Sequence, residues 1–173
     1  MQNNAFRILV VDDEQQYCDV LKLILEAESY SVITTTSSIS ALEMLENERF
    51  DLVLSDFFMQ DMDGFQLLKR IKDDHSDTEV IIITGYGSIK NAVDAMKQGA
   101  FSYFIKSHDP EELLFEVSKV KRISELTMRI NQPAAKGQYL MHSQNAKMKK
   151  VIDIIDKVAD SNANVLLLGE SGV

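Results

Sequence analysis

Between residues 6 and 106, five short apolar runs alternate with stretches of helical periodicity, and few architectures accept that order. The runs are FRILVV (6–11), SVITT (31–35), DLVLS (51–55), EVIIIT (79–84) and FSYFI (101–105). Three of them are almost continuously apolar, the pattern of strands covered on both faces. Across 14–28, Tyr17, Val20, Leu21, Ile24 and Leu25 recur at three- and four-residue spacing and predict a helix with one apolar stripe. Ala41, Leu42 and Leu45 do the same over 38–48, and Phe65, Leu68 and Ile71 over 64–73. Ile89, Ala92, Val93 and Met96 repeat the pattern after the fourth run.

Strands alternating with helices imply right-handed βαβ units and a parallel sheet. Five such units predict a doubly wound α/β domain with the flavodoxin-like strand order 2-1-3-4-5. A fifth helix starts at HDPEELL (108–114), where Asp109 can cap, Pro110 fits the first helical position, and Glu111 and Glu112 complement the positive helix end. Nothing breaks it before Pro133, so it is predicted to continue to Ile130, longer than covering the sheet requires. Val120, Ile123, Thr127 and Ile130 along this extension make a short 3-4 pattern that suggests a helix–helix seam, with a solvated tail as the other reading.

Composition narrows the function classes. No apolar run approaches the ~18 residues of a membrane span. The opening MQNNAFRILV has one basic residue and too short an apolar stretch for a secretory signal. Cys18 is the only cysteine, which excludes an internal disulfide framework and a cysteine-based zinc site; it is expected to be a small core residue of the first helix. A cytoplasmic protein is expected. Residues 1–106 carry eighteen acidic against nine basic side chains, whereas 107–173 are balanced at nine of each. So acidic a surface repels nucleic-acid phosphates and argues against DNA binding by residues 1–106.

In a parallel α/β sheet, ligands bind beyond the C-terminal ends of the strands. The first run ends in Asp12 and Asp13, the third in Asp56, the fourth in Thr84 and the fifth in Lys106. Four strands thus deliver three carboxylates, a hydroxyl and an amine to one rim. Clustered carboxylates repel one another unless a cation intervenes, and an all-oxygen set suits Mg2+. Lys106 can neutralise phosphoryl oxygens, Thr84 can hydrogen-bond one, and a carboxylate in such a setting can act as a nucleophile to give an aspartyl phosphate.

With these residues in place, the sequence resembles the receiver domain of two-component response regulators, from residue 6 to about 120. The resemblance rests on Asp12–Asp13, Asp56 in DLVLSDFFMQDMDGF, Thr84 in IIITGYGS, and Tyr103 and Lys106 in FSYFIK. It implies that Asp56 accepts a phosphoryl group from a sensor histidine kinase. It also implies that Asp13, Asp56 and the Phe58 backbone carbonyl ligate Mg2+, with Asp12 acting mainly through water. Thr84 and Tyr103 would form the switch pair: a new dianion on Asp56 draws Thr84 and Lys106 inward, and Tyr103 fills the space left. Two other readings stand beside this one. A phosphorylation-independent receiver-like scaffold would need none of the chemistry, and a Mg2+ phosphatase with an Asp nucleophile would need a D-x-D-x-T pattern that VVDDEQQ lacks.

Two positions depart from the family pattern. Gln60 stands where the family often has proline, and Ser107 follows Lys106 where proline, commonly in a cis bond, is usual. A cis bond before a non-proline residue costs ~2.5–4 kcal/mol, so Lys106–Ser107 is expected to be trans, or cis under strain. Phe58 and Tyr86, each two residues beyond Asp56 and Thr84, are expected to hinder the attacking water and lengthen the phosphoryl lifetime.

The remainder is expected to divide into a helical extension and linker (121–138) after the receiver domain (1–120), and a last segment (139–173). NQPAAKGQ (131–138) has linker composition, and QNAKMKKVIDIIDKVAD (144–160) is an amphipathic helix. From YLMHSQ to VLLLGESG the segment resembles the start of the AAA+ ATPase domain of sigma-54-dependent activators of the nitrogen-regulation type. With Val173 in place of the family's threonine and no phosphate-loop lysine, the segment is expected to bind no ATP. The resemblance implies a parent that meets sigma-54 RNA polymerase and DNA through other domains. It also implies a homodimer formed through the fifth helix and its extension.

Overall fold

A computed structural model describes residues 5–131, with side chains through Thr127. The expectations for the linker, the 144–160 helix and VLLLGESG lie outside these residues. Five strands, β1 (Arg7–Val11), β2 (Ser31–Thr35), β3 (Leu52–Asp56), β4 (Glu79–Thr84) and β5 (Ser102–Ile105), alternate with five helices. The helices are α1 (Gln15–Ala27), α2 (Ser38–Asn47), α3 (Gly64–Asp74), α4 (Ile89–Lys97) and α5 (Pro110–Asn131). All pairings are parallel and the strand order is β2-β1-β3-β4-β5, as the alternation predicts.

The period-two alternation of each strand sorts its side chains between two cores. Ile8, Val10, Leu52, Leu54, Ile81, Ile83 and Phe104 meet Leu21 and Leu25 of α1 and Leu113, Val117 and Val120 of α5. Their neighbours Leu9, Val11, Val53, Val80 and Ile82 face α2, α3 and α4 through Ala41, Leu45, Leu67, Leu68, Ile71 and Ala95. Every residue of β3 is buried, whereas the edge strands β2 and β5 bury little more than Val32 and Phe104. Cys18 is buried in the first core, as expected.

Local capping sets the helix starts. Ser37, Asp63 and Ser88 accept from the backbone N–H groups of Ser40, Gln66 and Asn91. Asp109 Oδ1 accepts from the Glu111 N–H at 3.0 Å, with Pro110 as the first helical residue. Glu14 occupies the same position before α1 but its side chain makes no cap bond. Its carboxylate goes to Lys106 instead, 3.2 Å away. β3 is shifted by one residue from the apolar run at 51–55, and the Asp51 carboxylate accepts from the Arg7 N–H at 2.7 Å, tethering the start of β1. The Lys106–Ser107 bond is trans, and no cis peptide occurs among the described residues.

Candidate functional site

The C-terminal ends of β1, β3, β4 and β5 converge because the strand order sets these four side by side. β1 and β3 pair up to Val11–Ser55, β3 and β4 up to Asp56–Ile83, and β4 and β5 up to Thr84–Ile105. Asp12 follows β1, Asp56 and Thr84 close β3 and β4, and Lys106 follows β5, its N–H bonded to the Thr84 carbonyl at 2.8 Å. The rim expected from the strand ends is therefore a real juxtaposition.

Asp12, Asp13 and Asp56 each place a carboxylate oxygen within 4.8 Å of the others, with Asp12 and Asp56 buried and Asp13 exposed. Lys106 Nζ lies among the buried acids, 2.7 Å from Asp12 Oδ2 and 3.3 Å from Asp56 Oδ1. The remaining oxygens accept from the backbone: Asp12 Oδ1 from Glu14 N–H at 3.0 Å and Asp56 Oδ2 from Phe58 N–H at 3.1 Å. Gly64 at the start of α3 packs directly over this turn, since a Cβ there would lie 2.5 Å from the Asp56 carbonyl oxygen.

Burial pushes the Asp56 carboxyl up to about 6, against the attraction of Lys106, and the Asp12 charge adds to the rise. Asp12 is raised for the same leading reason. Burial also works against the Lys106 charge, but the carboxylates around it outweigh burial and hold the ammonium above the ordinary lysine range. The two directions describe one imbalance: the single ammonium is over-supplied with carboxylates, while the acids are short of positive charge. Three convergent carboxylates with that deficit fit a divalent cation bound through oxygen, and Mg2+ suits them.

Thr84 and Tyr103 stand apart from this cluster. The Thr84 hydroxyl is fully buried and bonds within its own turn, accepting from the Tyr86 N–H at 3.2 Å. Tyr103 is half-buried against the α2–α4 core, and its buried hydroxyl has no hydrogen-bond partner among the described residues. Phe58 is 54% exposed and meets Phe57 edge-on, while Tyr86 is 83% exposed. Tyr17, Glu14 and Gly64 also belong to the site. The sequence placed Tyr17 only in an apolar helical stripe, yet Lys106 Nζ lies 4.4 Å from its ring centre.

A doubly wound sheet with carboxylates, a hydroxyl and a lysine on its C-terminal rim defines a small α/β domain with a polar site at its strand ends, and residues 8–118 match the response regulator receiver domain family, to which this chain belongs. The transcriptional regulatory protein ZraR of Klebsiella oxytoca is 38% identical over 99% of this chain and 39% of its own length. The chain thus spans about two fifths of that relative. The beryllofluoride-activated NtrC4 receiver domain, a dimer, is 34% identical with a TM-score of 0.65, covering 68% of this chain and 98% of that one. Thermotoga maritima TrrA, solved with Mg2+ and beryllofluoride, is 31% identical with a TM-score of 0.61, over 66% of this chain and 97% of its own.

Proposed function

We propose that Asp56 is the phosphoryl acceptor and that its modification switches the assembly of a larger transcription activator. The observation that carries this reading is the Asp56 carboxylate itself, buried at the end of the central strand with Lys106 Nζ 3.3 Å away. Transfer from a kinase phosphohistidine forms an Asp56 O–P bond and breaks the P–N bond, and the departing imidazole takes a proton from solvent. Asp12, Asp13 and Asp56 would hold Mg2+, with the Phe58 carbonyl as a further ligand; the cation supplies charge neutralisation on the phosphoryl oxygens. Lys106 would turn from Asp12 toward the new dianion. Thr84 would exchange its bond to Tyr86 for one to a phosphoryl oxygen, with Tyr103 responding beside it.

The domain organisation is read as receiver (1–120), helical extension and linker (121–138) and the start of an AAA+ domain (139–173). Alignment with ZraR through 99% of the chain supports the last part. A sensor histidine kinase is the proposed donor, and sigma-54 RNA polymerase and DNA are contacted only through other domains of the parent. Homodimerisation is assigned to α5 and its extension, where Phe115, Ile123 and Leu126 are exposed. No described helix is long and apolar enough to cross a membrane, in keeping with a cytoplasmic regulator.

Acetyl phosphate with Mg2+ tests the assignment. Intact-mass measurement should show one added phosphoryl group, absent from Asp56→Asn. A phosphoryl group on another residue, or none at all, would leave the scaffold reading in its place.

A further inference from the structure

Lys106 Nζ is surrounded on four sides. Asp12 lies at 2.7 Å, Glu14 at 3.2 Å and Asp56 at 3.3 Å, while the Tyr17 ring closes the fourth side with its centre 4.4 Å away. These contacts differ in what happens to them when the site is used. Carboxylates that take up a cation lose much of their attraction for the ammonium. Glu14, on a largely exposed side chain, draws Lys106 away from the acceptor toward solvent. The ring face offers no oxygen to the divalent cation and no donor to the phosphoryl group, so its attraction for the ammonium survives both events. Tyr17 is itself fixed, half-buried against the core of α1 and α5, on the helix that directly follows Asp12 and Asp13. Its phenol is pushed up to about 12, chiefly by burial, so the ring stays neutral across the working pH range.

We propose that Tyr17 is a positioning residue for phosphoryl transfer: its ring face holds the Lys106 ammonium over Asp56 while the carboxylates around it change partners. The proposal rests on Asp56 being the acceptor. It requires the aromatic face and not the hydroxyl, so phenylalanine should serve and an aliphatic side chain of similar bulk should not.

Binding of beryllofluoride with Mg2+ to the full 173-residue chain, followed by 19F NMR, separates these cases. Tyr17→Leu should weaken beryllofluoride binding about tenfold, the scale of a partly desolvated cation–π contact. Tyr17→Phe should stay close to wild type, and the Mg2+ affinity of both, measured by calorimetry without beryllofluoride, should be unchanged. Equal weakening by both variants, or none by Tyr17→Leu, overturns the role. A wild-type chain that takes up no beryllofluoride overturns the acceptor assignment as well. The wild-type protein offers a check that needs no variant: ring-current shielding should move the Lys106 ε-methylene protons upfield of an ordinary lysine. If they resonate at the ordinary position, the contact does not exist in solution and the proposal fails.

Discussion

Lys106 Nζ and Asp12 Oδ2 lie 2.7 Å apart, an ion pair that joins the end of β5 to the end of β1 across two intervening strands. Asp12 is buried and Lys106 largely so, and at this shorter distance the pair outweighs the looser contact to Asp56 at 3.3 Å. In this state the lysine serves Asp12 first, and Asp56 carries the unmet share of negative charge.

The first consequence is a pH-dependent stability. Asp56 is raised from 3.8 to about 6, so the folded chain binds its proton more tightly than the unfolded chain does. The ionised carboxylate therefore destabilises the fold fully above about 6, and the penalty disappears as pH falls toward 3.8. At 1.36 kcal/mol per pH unit the penalty is about 3 kcal/mol at neutral pH. Thermal unfolding without Mg2+ should show Asp56→Asn melting several degrees above wild type at pH 7.5, the gap closing at pH 4.5. An unchanged gap would mean that Asp56 is not desolvated.

Removing the ammonium should act oppositely on stability and on cation affinity. Lys106→Met leaves buried carboxylates without their partner, a loss of about 3–5 kcal/mol by the usual scale of broken buried pairs. The same change removes a competitor for those oxygens, so calorimetry should show tighter Mg2+ binding than in wild type.

Gly64 has no room for a side chain. A Cβ would meet the Asp56 carbonyl oxygen at 2.5 Å and the Phe57 Cα at 3.0 Å, both backbone atoms. Gly64→Ala should cost about 1–3 kcal/mol in urea unfolding, as overpacking does, and should weaken Mg2+ binding by displacing the turn.

Tyr103 buries a hydroxyl that bonds to nothing among the described residues. Tyr103→Phe should therefore stabilise the unphosphorylated protein by about 1 kcal/mol, the lower range for relieving an unsatisfied polar group. Chemical denaturation measures this, and a loss of stability would show that the hydroxyl has a partner in solution.

Phe58→Asn combined with Tyr86→Ala should shorten the lifetime of the phosphoryl group proposed for Asp56, read as loss of the added mass with time. With Tyr86 83% exposed and Phe58 packed edge-on against Phe57, Phe58 should account for most of the change. Equal lifetimes in wild type and the double variant would show that neither ring hinders the attacking water.

The architecture was legible because the inner strands are covered on both faces and each helix on one, so burial is written as continuous apolar runs alternating with helical stripes. Asp12, Asp56, Thr84 and Lys106 were legible for a related reason, since each stands where an apolar run stops and parallel strands must all stop on one rim. Tyr17 was not, because an aromatic residue in an apolar helical stripe reads as core whatever lies above its ring. Gly64 was obscured too: a glycine after Asp63 reads as turn chemistry until the Asp56 carbonyl is seen beneath it.

By itself, then, the sequence determined the five βα units, their order in the sheet and the polar groups offered at its edge. Only the tertiary structure decided that Asp12 and Asp56 are buried while Asp13 is exposed, that Lys106 favours Asp12, and that the side chain of the cap residue Glu14 turns to Lys106. The reason is physical. Periodicity follows from a residue's place in its own element, whereas desolvation and ion pairing depend on neighbours that only the closed fold supplies.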